Sequence, residues 1–165
     1  MIDELVLIKL NNGDLDAMLA IEEKAYPFPW TRGNFLDSFE SGHDMIGLRD
    51  MHDGEDSSQL VAYLIALQVL DELHLLNLAV ELAYQGKGLG KRLLNHLIAL
   101  AKQRSCSSIL LEVRVTNQRA IAVYKVAGFV EIGRRKNYYP AHQQSREDAI
   151  VMRCSVNHQV QASFP

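Results

Sequence analysis

The period of apolar positions changes repeatedly along the chain, and each change marks an element. ELVLIKL (4–10) predicts a first strand. Leu15, Met18, Leu19 and Ile21 then recur at helical spacing behind Asp14, which is placed to cap them, and Pro27 sets the latest point at which that helix can end. PFPW (27–30) stays extended, because each proline fixes its own φ and pushes the residue before it out of the α region. Thr31 is a cap for a second short helix reaching about Glu40. DMIGLRD (44–50) reads as a strand and MHDGEDSSQ (51–59) as a polar turn. LVAYLIALQVL (60–70) and ELHLLNLAV (72–80) are longer apolar runs with Asp71 and Glu72 at their junction, which predicts a tightly connected central hairpin.

Past a glycine turn, Leu89, Leu93, Leu94, Leu97, Ile98 and Ala101 make one apolar face of a helix over about 88–104. SSILLEVRV (107–115) predicts a strand, NQRAIAVYKVAG (117–128) a helix closed by Gly128, and FVEIGRRKNYY (129–139) and EDAIVMRCSV (147–156) two last strands. The order βααβββαβαββ combines a hairpin-connected half with strand–helix–strand crossovers. It predicts an α/β chain of the mixed α+β kind, with a central mixed sheet and helices on both faces. One domain is expected over 1–155. Residues 156–165 lack periodicity and a cap and are expected to be loosely attached.

Composition narrows the function. A chain of 165 residues, 48% hydrophobic and 22% charged, can bury one core of ordinary size. The formal net charge of -3 argues against nucleic-acid binding by bulk electrostatics. Cys106 and Cys154 are far apart without CxxC spacing, which favours a reducing cytoplasm over a disulfide framework. Neither a leader pattern nor an apolar run near the ~18 residues of a membrane span is visible. A cytoplasmic monomer without membrane or nucleic-acid contact is expected. The six histidines show no ligand spacing, so no metal site is expected.

The strongest local signal is AYQGKGLGKRLL (83–94), with Gly86, Gly88 and Gly90 on alternate positions among Lys87, Lys91 and Arg92. Glycines between a strand and a helix let backbone N–H groups converge where the helix dipole adds positive potential, which suits a pyrophosphate. A plain tight turn is the alternative. No Walker A spacing is present, and G-x-G-x-x-G fails because Lys91 stands where the third glycine would be. Q-x-x-G-x-G does fit, through Gln85, Gly88 and Gly90.

This loop resembles the acyl-CoA pyrophosphate loop of the GNAT superfamily of N-acetyltransferases. NQRAIAVYKVAGF resembles the same superfamily's N-x-x-A-x-x-x-Y-x-x-x-G-F helix, through Asn117, Ala120, Tyr124, Gly128 and Phe129. FPW (28–30), LDELHLLNLAV (70–80), LLEVRVTN (110–117), RKNYYP (135–140) and REDAIVM (146–152) are similar to the bacterial ribosomal-protein alanine N-acetyltransferases, the RimI family. The resemblance implies acetyl transfer from acetyl-CoA to the N-terminal alanine of small-subunit ribosomal protein eighteen. The chain departs from that family in the longer 51–59 loop, in Glu81-Leu82 where Asp-Pro is common, and in its C-terminal extension.

Acetyl transfer to an amine needs a neutral nucleophile, an oxyanion holder and a proton for the thiolate. On strand 107–115, Leu110, Glu112 and Arg114 share one face, and a plain Glu112–Arg114 ion pair is one reading of them. The RimI resemblance instead makes Glu112 the proton acceptor. Tyr124 follows Ala120 and Ile121 at helical spacing, as a core residue would; the resemblance makes it the proton donor to the CoA sulfur. Asn117 can cap its helix and, by resemblance, contacts acetyl-CoA. The cofactor set implied comprises the backbone of Leu78, Ala79 and Val80, the turn residues Gln85, Gly86, Lys87, Gly88, Leu89, Gly90 and Lys91, and Asn117. Phe28 and Trp30, in the proline-fixed loop after the first helix, and Tyr138 and Tyr139, where the sixth strand gives way to the connection before the last, are either a peptide-binding rim or loop-anchoring hydrophobes. Asp37, Glu40 and Asp44 suit a basic ribosomal-protein tail or, as the plainer reading, a solvated face. Acetylation of other peptide N-termini, lysines or small amines, and a CoA-binding ribosome-assembly module without turnover, are the competing functions.

Overall fold

The computed structural model describes residues 5–51 and 58–156. Most of the polar turn expected at 51–59 and of the tail expected at 156–165 lies outside them. Seven strands form one sheet in the order β1-β2-β3-β4-β5-β7-β6. They are β1 (Leu5–Lys9), β2 (Asp44–Asp50), β3 (Gln59–Val69), β4 (Glu72–Val80), β5 (Ser108–Arg114), β6 (Val130–Pro140) and β7 (Arg146–Ser155). Neighbours are antiparallel except β4 and β5, which are parallel because helix α3 (Leu89–Gln103) carries the chain across between them. The mixed sheet and the element order agree with the pattern read from the sequence.

Helices cover both faces. Leu93, Leu94 and Leu97 of α3, with Ile121 and Tyr124 of α4 (Gln118–Val126), pack with Leu64, Leu73, Leu75 and Leu111 in one core. Leu15, Met18 and Ile21 of α1 (Leu15–Ala25), with Phe35 of α2 (Arg32–Glu40), pack on Tyr63, Ile65 and Ala79 in the other. Strand β3 serves both layers, and for this reason its seven residues Leu60–Ala66 are all buried.

Strand β4 changes layer partway along. Ile65 pairs with Asn77 but the next residue, Ala66, pairs with Leu75, so Leu76 is an extra residue in β4. Before it, Leu73 and Leu75 face the α3 core; after it, Ala79 faces the α1 core. The pairing with β5 also stops here, its last partners being Leu75 and Leu111. The two parallel strands therefore part beyond Leu76, leaving a gap in the sheet.

Side-chain caps start two of the four α-helices, α2 and α4. Thr31 and Asn34 form the capping box of α2, as the sequence predicts for Thr31. Asp14 does not cap α1: its carboxylate accepts the Asn11 N–H at 2.9 Å and pairs with Arg49, while Asn11 caps a short 3₁₀ turn over Asn12–Asp14. Asp44 is likewise not a plain solvated residue, since Arg104 grips it with two contacts of 2.6 and 2.7 Å.

Candidate active site

Strand β4 does not run straight into the glycine turn. A 3₁₀ turn over Leu82–Tyr84 intervenes, set up by Glu81, which accepts the Leu82 N–H and pairs with Lys24 at 3.3 Å. Gly86 and Gly88 then adopt φ of +77° and +83°, the left-handed region that a side chain disfavours. Gly88 is the N-cap of α3 and supplies no side chain to the first-turn N–H groups, and nothing stands within 4 Å of where its Cβ would be. The first turn of a fifteen-residue helix thus presents unsatisfied donors to open space.

That space is a cleft of about 370 Å³ whose lining includes Gln85, Gly86, Gly88, Leu89, Gly90 and Lys91 at one end and Leu78, Val80, Asn117 and Tyr124 at the other. Lys87 does not line it; its ammonium sits 4.8 Å from the centre of the Tyr84 ring. Gln85 donates to the Val80 carbonyl at 3.1 Å and accepts from Arg119 at 2.6 Å. Arg119, which local spacing gave no reason to select, is thereby placed beside the turn.

The gap between β4 and β5 forms the inner end of the cleft. Glu81 donates its N–H to Val61, which fixes the alternation of the β3–β4 ladder: Ala79 turns its backbone groups toward Tyr63 on β3, whereas Leu78 and Val80 turn theirs into the gap. Two side-chain bonds agree, since the Tyr26 hydroxyl donates to the Leu78 carbonyl and Gln85 to that of Val80. Ala79 is corrected accordingly. Its amide is committed to the sheet and its side chain to the core.

A second cleft of about 350 Å³ opens on the other side of the gap, lined by Phe28, Trp30, Glu112, Arg114, Asn117, Tyr124 and Tyr139 among others. Tyr26, Leu78, Asn117 and Tyr124 border both clefts, so the two meet at these residues. Asn117 caps α4 by accepting the Ala120 N–H at 3.2 Å, which holds its side chain at that junction. Tyr124 is packed against Phe129, and among the described residues its hydroxyl has no hydrogen-bond partner. Burial, with a smaller contribution from Tyr139, pushes this phenol well above the usual tyrosine range, so it stays protonated.

Glu112 does not pair with Arg114. Arg135 donates to Glu112 at 2.5 Å, and Arg114 is drawn instead to Glu147 at 2.7 Å. Interaction with Glu112 is also the main reason the Tyr138 hydroxyl is pushed up. Tyr138 is 43% exposed and stands outside the cleft lining, whereas Tyr139 lines it and is pushed up to about 12, chiefly by burial. Trp30 both lines the cleft and anchors its loop, its ring tilted against that of Phe35 at 5.4 Å between centres and its backbone N–H donating to Glu22 at 2.9 Å. Glu22 is a buried carboxylate that also accepts from Tyr63 and, at 3.1 Å, from Asn77. Neither Glu22 nor Tyr26 stands out in the sequence, because their partners are far along the chain.

Among the described residues no cluster of three His, Cys, Asp or Glu could hold a metal ion, and no helix is long and apolar enough to cross a membrane. Comparison with known proteins agrees with this geometry. Residues 15–129 match the Acetyltransferase (GNAT) family model. The chain is 40% identical over 143 residues to the [ribosomal protein bS18]-alanine N-acetyltransferase of Escherichia coli K12, covering 87% of this chain and 92% of that one. It is 34% identical over 149 residues to the Haemophilus influenzae protein of the same name, covering 90% and 97%. The crystal structure of the ribosomal-protein-S18-alanine N-acetyltransferase from Escherichia coli superposes with a TM-score of 0.83 at 35% identity, over 98% of this chain and 99% of that chain. An acetyl-CoA complex of Arabidopsis thaliana NAA60 shares the fold, with a TM-score of 0.82 at 19% identity and coverage of 92% and 99%. With its glycine turn, parted strands and capped α4 all inside or beside the matched span, the chain belongs to the GNAT family of acetyltransferases.

Proposed function

We propose that the chain transfers the acetyl group of acetyl-CoA to the α-amino group of an N-terminal alanine, with the bS18 ribosomal protein as its substrate. One observation carries this reading: two clefts, one ending in open helix donors and the other holding a carboxylate, meet at an unpartnered phenol. The relatives named for bS18-alanine acetylation, aligned over most of the chain, support the choice of amine.

The residues divide the chemistry. The amides at the start of α3, with Arg119 and Lys91 beside them, suit a diphosphate, and the gap leads inward from there to Leu78. An α-amine has a pKa of about 7.7–8.0, so near neutral pH only a modest base is required. Glu112 accepts the ammonium proton, directly or through water. The nitrogen then attacks the thioester carbon, and the oxyanion is held by backbone N–H groups that β4 turns into the gap, each such donor worth about 2.7–4 kcal/mol in a dry site. As the carbonyl re-forms and the C–S bond breaks, the sulfur takes the electron pair and Tyr124 gives its hydroxyl proton to the thiolate; the surplus proton on the new amide nitrogen leaves to water, from which the Tyr124 oxygen is reprotonated, and Glu112 returns its own proton to solvent. A phenol raised by burial is a poor free acid but a well-held hydrogen-bond donor, which is what a developing thiolate needs.

The test is direct. Incubating the protein with acetyl-CoA and a short peptide beginning with alanine is expected to release CoA and to add one acetyl group to the α-nitrogen, read by fragment mass spectrometry. CoA release no faster than in an enzyme-free control overturns the proposal. Modification of free polyamines in preference to the peptide moves the substrate to the small-amine class.

A further inference from the structure

Phe28 and Tyr139 reach the second cleft from distant parts of the chain, the loop after α1 and the end of β6. A single side chain lies between them. The Arg114 guanidinium carbon is 4.9 Å from the centre of the Phe28 ring and 4.4 Å from that of Tyr139. The same guanidinium donates to the Pro140 carbonyl and to Glu147, both at 2.7 Å. Glu147 is fixed in turn by the Thr116 hydroxyl at 2.7 Å; although burial works the other way, the hydrogen bonds from Thr116 and Arg114 hold its carboxyl below the usual range. The Arg114 side chain is only 17% exposed. Its charge is therefore answered by two acceptors at one nitrogen while its central carbon lies over two rings, a combination that lysine, a point charge without a planar fork, does not reproduce.

We propose that Arg114 is a positioning residue for the amine substrate: it sets the spacing of the two aromatic walls between which a peptide N-terminus enters. The inference rests on the second cleft being the peptide side. Arg114 takes no proton and borders only that cleft, so its loss is felt in the binding of peptide and not in the binding of the acetyl donor. A further consequence concerns specificity. Because Arg114 already covers one face of each ring, that face of Phe28 and of Tyr139 is closed to a basic side chain of the substrate.

Steady-state kinetics on the full chain, with acetyl-CoA and a short peptide beginning with alanine, test this. Arg114→Lys and Arg114→Met are expected to raise the peptide KM roughly tenfold, the scale of two lost cation–π contacts, with kcat and the acetyl-CoA KM changed less than about twofold. Phe28→Leu and Tyr139→Leu should reproduce the rise, and Phe28→Tyr and Tyr139→Phe, which keep the rings, should not. Where an Arg114 variant fails to fold, the ring substitutions decide by the same criterion. Folded variants with unchanged peptide KM, or an acetyl-CoA KM that rises in step with the peptide KM, overturn the proposal. A wild-type chain that binds CoA yet acetylates no peptide removes the functional reading and this inference with it.

Discussion

Arg135 Nε lies 2.5 Å from Glu112 Oε1, so the proposed base is held by a cation of its own chain before any amine arrives. The Arg135 side chain is 57% exposed and that of Glu112 25%, and a pair so open to water contributes at most about 1 kcal/mol. An incoming ammonium therefore competes with Arg135 on nearly equal terms. Arg135→Gln is expected to lower the peptide KM a few-fold in dilute buffer, with the advantage vanishing as added salt screens the pair. An unchanged KM across a salt series would show that Arg135 does not occupy the amine position.

Glu112→Gln keeps the shape of the strand and removes the proton acceptor. On the order of 10² to 10⁴ in kcat should be lost, with CoA affinity by calorimetry little changed. Tyr124→Phe should behave similarly. Since burial keeps the Tyr124 phenol protonated far into the alkaline range, its effect on kcat is expected to be the same factor at every pH from 6 to 9. A ratio that collapses toward pH 9 would reveal that Tyr124 titrates in the working range.

The glycine turn is tested by Gly88→Val. Its φ of +83° makes a β-branched side chain costly, and the new Cβ would enter the space facing the first turn of α3. CoA affinity should fall at least tenfold because the side chain takes the ligand's space, while kcat at saturating donor falls much less; the backbone strain of about 1–2 kcal/mol is felt separately, as a lower melting temperature.

Arg119 is held at 2.6 Å by the neutral amide of Gln85. A phosphate oxygen is the stronger partner for a guanidinium, so the cation can pass from the amide to a diphosphate. Arg119→Ala is expected to weaken CoA by about tenfold, in line with the ~1.5–3 kcal/mol of a hydrogen bond to a charged group. The KM for S-acetylpantetheine, which lacks the diphosphate, should not change. Equal losses for both donors would assign Arg119 a purely structural role.

Stability should fall in alkali for a reason the core makes plain. Tyr26, Tyr63 and Tyr124 are raised above the ordinary tyrosine value of about 10, chiefly by burial, and Tyr139 is raised to about 12. A group raised in the folded state contributes its full stability below the unfolded value and loses it as pH climbs toward the folded one. The melting temperature is therefore expected to decline above about pH 10, with these phenols ionising together at unfolding. Ultraviolet titration showing them ionise near pH 10 in the intact protein would contradict this.

The sequence disclosed those features whose cause is local. Periodicity located the strands and helices, Thr31 its capping box, and Gly128 the end of α4 through a φ of +100°. It placed Asp14 one role away from its true one, because Asn11 reaches the turn first. What it could not disclose depends on chain segments meeting. Glu112 and Arg135 are 23 residues apart, Gln85 and Arg119 34, and Tyr26 and Leu78 52. No window of helical or strand period spans such distances, so Tyr26, Arg119 and Glu22 passed as ordinary residues. Ala79 is adjacent to Leu78 and Val80, and adjacency along a strand hides which residues turn toward a given neighbour.

The doubled leucine Leu75-Leu76 works like a frameshift in the parity of β4: every side chain downstream is delivered to the opposite helix layer. Excising Leu76 alone would join the Leu75–Ala66 and Asn77–Ile65 pairs into an unbroken ladder with Asn77 and Ala79 still on the α1 side, whereas regular alternation with Leu76 retained would send both toward the wrong helices. Anyone wishing to reshape this catalyst can trim or extend its connections with some freedom, but must count residues through the middle of this strand without error.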